Sequence, residues 1–413
     1  MKAEHVKVMN NFPPERGSQV TFSNYASSPF NTWGFRNMDA VTHTAMLARG
    51  GPLPTIDELL NAELPTTRIV DTDKNQLPLD DLLEKHDADG FLVLRDGCII
   101  YERYWNGMTA QDRHIWFSMT KSLVSTAFGI LMEQVDIDLT KSPAFYIEEL
   151  KGSGFERTTI QDVLNHASAI EFKENYLDPE SEFRRFYGPA INLSYVTGAQ
   201  DAQPVNTEIY GVYDFLAKFI KPETAEDPGN VFEYNSANAD LIGWMISRLS
   251  GMSLQNFLAS QLWSKLGTNH DAAIVVDRAY QSVATGGMTS TLRDAALFGE
   301  LIRNDGVANG EQIVPAHWIA ETLNLTDADQ QRYANNQLYR NELWQYYKNM
   351  WWILDPEQGE YAAVGIHGQV IYINKSTKTV IVQFSSQPTP SQVGSVEFRS
   401  KLLAMREIAN YRQ

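Results

Sequence analysis

Apolar and polar positions are patterned most sharply at two places far apart in the chain. In "FLVLRDGCIIYERYW" (residues 91–105) two apolar, β-rich runs flank Asp96 and Gly97, a pair suited to the tight turn of a β-hairpin. Near the other end, "YAAVGIHG", "QVIYINKSTKT" and "TVIVQFSS" read as successive antiparallel strands, with "NKSTKT" as a turn. A helical run from Val396 to Tyr411 closes the chain. Between the two strand groups the pattern is mostly helical, in "TIQDVLNHA", in "ADLIGWMISRLSG" with Gly251 as its stop, and in "TLRDAALFGELIRNDG" ending at Gly306. Strands from both ends would pair into one sheet, leaving the helical part as an insertion. A further short helix is predicted from Pro78 in "PLDDLLEK".

One helix differs in kind. From Leu123 to Gln134 the apolar residues Leu123, Val124, Ala127, Phe128, Ile130, Leu131 and Met132 cover nearly the whole circumference, the pattern of a central buried helix. Residues 1 to about 54 have no such periodicity. They are rich in Asn, Pro, Ser and Gly but carry aromatic residues at Phe22, Tyr25, Phe30, Trp33 and Phe35, which predicts an irregular arm packed on the body.

Composition narrows the classes of function. The 413 residues are 43% hydrophobic and 21% charged, a globular balance. A net charge of -17 argues against nucleic acid or an anionic membrane surface as partner, since binding either depends on a basic patch. The single cysteine, Cys98, excludes an internal disulfide and a Cys-rich zinc site, and its apolar neighbours place it in the core. The first residues contain no apolar signal region and no apolar run reaches membrane-spanning length, so the expectation is a soluble, cytoplasmic protein. Neither a His-Glu-x-x-His pattern nor a phosphate-binding glycine loop is present, so no metal or cofactor is expected.

The candidate chemistry sits at the head of the buried helix. In "FSMTKSLVSTAFGILMEQ", Ser118 and Lys121 are three residues apart, a spacing no other serine in the chain has. Residues i and i+3 share a helical face, so the amine can reach the hydroxyl. A desolvated lysine loses proton affinity and can serve as base toward that serine. The alternative is a Ser118 that only caps the helix beside a solvated Lys121. A second candidate is "FEYNSANADLIG", where Tyr234, Asn235 and Ser236 precede a helix starting near Ala237; Tyr234 could shuttle a proton, or the three could be caps. A third is "VGIHGQVIYIN", with His367 read on a strand between Gly365 and Gly368, glycines that suggest close approach of another backbone or a ligand.

Taken together, the three stretches resemble the serine hydrolases of the β-lactamase and penicillin-binding superfamily. "SMTK" matches Ser-x-x-Lys, "YNS" stands in the place of Tyr-x-Asn, and "HGQ" in the place of Lys-Thr-Gly. The separations from Ser118 to Tyr234 and from Tyr234 to His367 suit the larger members, the class C enzymes and esterases. "TIQDVLNHASAI" also resembles a stretch common in that group, with Ala169 where Gly is usual. From about Asn31 to Ser386 the chain is similar to the 6-aminohexanoate-dimer hydrolases, at "NTWGFRNM", "FLVLRDG", "DRHIWFSMTKSL", "KENYLDPESEF", "FEYNSANADLIGW", "ATGGMTSTLRDAALFG", "MWWI" and "GIHGQ".

The resemblance implies an α+β, β-lactamase-like fold: an antiparallel sheet flanked by helices, with an inserted, mostly helical subdomain. After the N-terminal arm (1–54), residues 55–413 would form one catalytic domain, with sheet parts at about 79–117 and 285–413 and a helical part at about 118–284. It also implies a nucleophile at Ser118, a base at Lys121 and Tyr234 as acid/base partner. The oxyanion would be held by the backbone N–H groups of Ser118 and Ile366. Tyr176, Ser236, Thr285 and His367 would line the substrate. Departures fall at Thr285 and over Phe183 to Ile209, so they touch the substrate and not the acylation machinery. The implied partner is a small amide or short-chain ester, with 6-aminohexanoate oligomers as the named candidate; a homodimer stays open. Rival readings are a β-lactamase or peptidoglycan peptidase, an acyltransferase, and a ligand-sensing module without turnover.

Overall fold

The computed structural model describes residues 8–53, 56–70, 74–176, 178–193, 209–339, 343–390 and 395–411. The predicted hairpin is strand β1 (Ala88–Arg95) and strand β2 (Cys98–Tyr104). Its turn has positive φ at both central residues, 52° at Asp96 and 81° at Gly97, which matches the right-handed twist of the strands it joins. Cys98 begins β2 at the turn and is half-exposed, not in the core. Helix α1 (Met119–Met132) follows, with every residue from Met119 to Leu131 buried, as its all-round apolar pattern requires.

Helix α2 (Ala237–Ser250) ends as predicted at Gly251, left-handed at φ 70°. Helix α3 (Leu292–Arg303) lies on the large sheet. The rest of that sheet comes from β3 (Tyr346–Lys348), β4 (Trp351–Asp355), β5 (Glu360–Gly365), β6 (Gln369–Asn374) and β7 (Thr379–Ser385), and helix α4 (Val396–Asn410) follows. Its seven strands run in the order β3-β4-β5-β6-β7-β1-β2, all antiparallel. The two distant groups therefore meet at the β7–β1 pair, where Ile381 faces Val93 and Val380 faces Leu94. All four residues are buried.

Three expectations are corrected. The N-terminal arm is not wholly irregular: Thr44–Leu47 forms a strand pairing antiparallel with Ala272–Val275, in a four-stranded sheet with Met288–Ser290 and His114–Ile115. Tyr25 and Phe35 of the arm are fully buried, whereas Phe22 is exposed; residues 1–7 and 54 lie outside the described residues. The stretch 118–284 is helical but also contains Ala272–Val275 and the small pair Ile170–Glu171 with Lys221–Pro222. "TIQDVLNHA" yields a helix of only five residues, Ile160–Leu164, closed at its start by a reciprocal Thr159–Asp162 cap.

Candidate active site

Ser118 sits immediately before α1, after Phe117 in the left-handed region at φ 46°. It is the N-cap residue by position, yet its side chain makes no capping bond. The hydroxyl faces Lys121 instead, whose Nζ lies 2.8 Å from Ser118 Oγ and donates to the Thr285 carbonyl at 2.9 Å. The capped helix with a solvated lysine is thereby ruled out, since Lys121 is 1% exposed. Burial pulls its pKa from 10.5 down to about 8, and the charges of Glu174 and Asp240 restrain the fall.

Tyr234 closes the other side, its ring 5.1 Å from the Lys121 ammonium. Its hydroxyl is pushed well above the ordinary phenol range by burial, then by the Glu174 charge, against a hydrogen bond with Ser118 that works the other way. The phenol thus keeps its proton at neutral pH, while the lysine has an accessible neutral form. Tyr234 packs on His166 at 4.9 Å and stacks on Trp352 at 5.8 Å. His166 accepts the Asn235 backbone N–H at its Nδ1, 3.0 Å away, and burial keeps the ring neutral. Asn235 caps α2 through its Oδ1 on the Ala237 N–H and anchors the loop through Nδ2 on the Phe172 carbonyl. One residue on, the Ser236 N–H donates to the Glu174 carboxylate, which also accepts the Tyr176 hydroxyl at 2.8 Å.

Beside them is a narrow cleft lined by Phe117, Ser118, Tyr176, Ser236, Thr285, Gly286 and Ile366. Among the described residues, the backbone N–H groups of Ser118 and Ile366 have no hydrogen-bond partner, and both residues face this cleft. Gly365, just before Ile366, explains the glycine beside the third motif: a Cβ there would stand 2.3 Å from the Trp116 carbonyl oxygen, so the strand end passes directly against the segment leading to Ser118.

The structure therefore gathers Ser118, Lys121, Tyr234, Tyr176, Ser236, Thr285 and Ile366. His367 is the exception. It lies not on a strand but in the tight turn Ile366–Gly368 at φ 60°, 2% exposed. Its Nδ1 donates to the Gln387 carbonyl at 2.7 Å, and its ring packs on Phe35 and Phe117. Burial holds its pKa down to about 4, so it offers no cation to the cleft. Of the departures noted in the sequence, residues 194–208 lie outside the described residues. Sequence reasoning missed Glu174, His166 and Asp240. The signal for Asp240 was available: an acid amid apolar residues on a buried helix, one turn past Ser236.

A family model described as Beta-lactamase matches residues 79–406. The 6-aminohexanoate-dimer hydrolase of Paenarthrobacter ureafaciens is 30% identical over 381 residues, covering 92% of this chain and 91% of the relative. Among solved structures, a Bacillus anthracis protein described as a 6-aminohexanoate-dimer hydrolase superposes with a TM-score of 0.81 at 27% identity, over 96% of this chain and 97% of its own. A class C β-lactamase shares the fold at a TM-score of 0.55 and 14% identity, over 81% of this chain and 94% of its own.

Proposed function

The chain belongs to the beta-lactamase family as a serine hydrolase resembling 6-aminohexanoate-dimer hydrolase, and from that premise we propose that it cleaves small linear amides or short-chain esters through an acyl-enzyme on Ser118. The observation that carries the proposal is the fully buried Lys121 with its amine 2.8 Å from the serine hydroxyl. Neutral Lys121 takes the Ser118 proton as Oγ attacks the carbonyl carbon. The oxygen of the tetrahedral intermediate gathers charge and accepts from the backbone N–H groups of Ser118 and Ile366, both of which line the cleft. Collapse breaks the bond to the leaving nitrogen or oxygen, which takes a proton from Tyr234, itself resupplied by Lys121. Water then adds to the acyl carbon and gives its proton to Lys121, which returns it to Ser118 Oγ as the acyl–oxygen bond breaks and the acid leaves.

The narrowness of the cleft favours slender, unbranched substrates, and the relatives' names make a linear 6-aminohexanoate oligomer the first substrate to try. A β-lactam or peptidase substrate brings a carboxylate on the carbon next to the scissile nitrogen, whereas the 6-aminohexanoate dimer carries its own at the far end of a pentamethylene chain. His367, in the place of the third-motif cation, is neutral and turned away, so the β-lactam or peptidase carboxylate would find no counter-charge there. The test is hydrolysis of p-nitrophenyl butyrate and of the linear 6-aminohexanoate dimer, with intact-mass detection of the acylated protein. Ser118→Ala should abolish both turnover and adduct while leaving the fold intact; near-normal turnover in that variant sinks the mechanism.

A further inference from the structure

Asp240 is 1% exposed on α2, and both oxygens of its carboxylate are engaged. One accepts the Thr285 backbone N–H at 3.0 Å, and the other accepts the Tyr187 hydroxyl. Thr285 is also the residue whose carbonyl receives the Lys121 amine at 2.9 Å. A single side chain thus fixes the residue that gives the lysine its acceptor. Taking the acyl-enzyme reading as its basis, we infer that Asp240 is a positioning residue for Lys121, holding Thr285 so that one amine N–H is spent on its carbonyl and the lone pair of the neutral amine is left for the Ser118 hydroxyl.

The charges around the pair support this. Lys121 faces Asp240 from α2, Glu174 from the loop before Tyr176, neutral His166, and the Tyr234 ring. Asp240 faces Tyr187, Lys121 and, at longer range, Asp277. Burial raises its pKa to about 7, whereas the Tyr187 and Thr285 bonds and the lysine charge favour the carboxylate. Ionised Asp240 in turn favours protonated Lys121, so the two titrate as a coupled pair. A carboxylate that held only the fold together would not set the pH at which the base becomes available.

The experiment is the pH profile of kcat/KM for p-nitrophenyl butyrate in the wild-type chain, in Asp240→Asn and in Tyr187→Phe. Asn keeps the shape and an acceptor for Thr285 but removes the charge, so Lys121 loses a neighbour that favours its protonated form. The acid limb should move to lower pH by roughly half a unit or more, and kcat should fall about tenfold with KM nearly unchanged. Tyr187→Phe is measured alongside so that the result does not hang on one variant. Without the phenol donor Asp240 ionises less readily, and the limb should move the same way by less. A limb that stays within roughly 0.2 units of wild type in both variants overturns the inference while leaving Ser118 and Lys121 in their roles. Absence of any turnover or Ser118 adduct in the wild type overturns the hydrolase reading and this inference with it.

Discussion

Burial is the main effect that sorts the two proton carriers beside Ser118. It lowers the Lys121 amine to about 8 and raises the Tyr234 phenol far from neutrality, because desolvation disfavours whichever form is charged. In the proposed mechanism this makes the amine the base and the phenol the donor. Tyr176 poses a finer question, since its hydroxyl donates to Glu174 while its ring packs 4.4 Å from Phe183. An amide leaves poorly unless its nitrogen is protonated as the intermediate collapses, whereas an activated ester needs no such help. If the Tyr176 hydroxyl orients the scissile nitrogen, Tyr176→Phe should slow hydrolysis of a linear amide by roughly tenfold and leave p-nitrophenyl butyrate nearly untouched. Equal losses on both would make Tyr176 a packing residue of its loop. At this scale the sequence reading reached Ser118 and Lys121 because their geometry is local, three residues along one helix. It missed Glu174 and Asp240 because what defines them is the partner each meets, at Ser236 and Thr285, dozens of residues away. His367 was misplaced for a related reason: the pattern located the glycines around it but not the direction of its ring.

Among the elements, those with internal punctuation were legible. The Asp96-Gly97 turn specifies its hairpin, the apolar girdle of α1 specifies burial, and Gly251 marks the end of α2. The strand Thr44–Leu47 was not, since its four residues gain their pairing only from Ala272–Val275, more than two hundred positions downstream. The junction of β5 with the segment before α1 shows how two elements make one site. The Trp116 N–H donates to the Met288 carbonyl at 2.8 Å, which pins that segment, and Gly365 lets β5 pass against the Trp116 carbonyl with nothing between them. Gly365→Ala puts a methyl group 2.3 Å from that oxygen, so either the strand end or the segment must move. Overpacking of this kind costs about 1–3 kcal/mol of stability. The displaced residue is Ile366, and an ångström of misplacement in a catalytic group costs on the order of a hundredfold in rate. The expected variant is folded by circular dichroism, destabilised in urea, and slowed about a hundredfold in kcat. Wild-type kcat with unchanged stability would show that the close approach is not what holds the turn.

Across the whole molecule, the candidate site draws on segments from Ser118 to Ile366, which the fold brings together only by closing the large sheet between β7 and β1 and packing α2 against α1. That assembly carries a buried ammonium in its middle, and the cost is a global one. The lowering of Lys121 from 10.5 to about 8, at about 1.4 kcal/mol per pH unit, amounts to about 3 kcal/mol. The sign follows from proton uptake. Between about 8 and 10.5 the unfolded chain holds the proton on this lysine more tightly than the native chain does, so this contribution to stability rises with pH through that window. Below about 8 both states are protonated and the full penalty is present. Lys121→Met keeps most of the side-chain volume and removes the charge, at the loss of the Thr285 and Ser118 contacts. The variant should be inactive and, at pH 7, more stable than wild type by roughly 1–3 kcal/mol in urea denaturation. The difference should shrink as the pH is raised from 8 toward 10.5, because the wild-type amine sheds its charge there and the variant has none to shed. A variant less stable than wild type at pH 7, or a difference that does not change with pH, would mean that hydrogen bonding at Lys121 outweighs its desolvation.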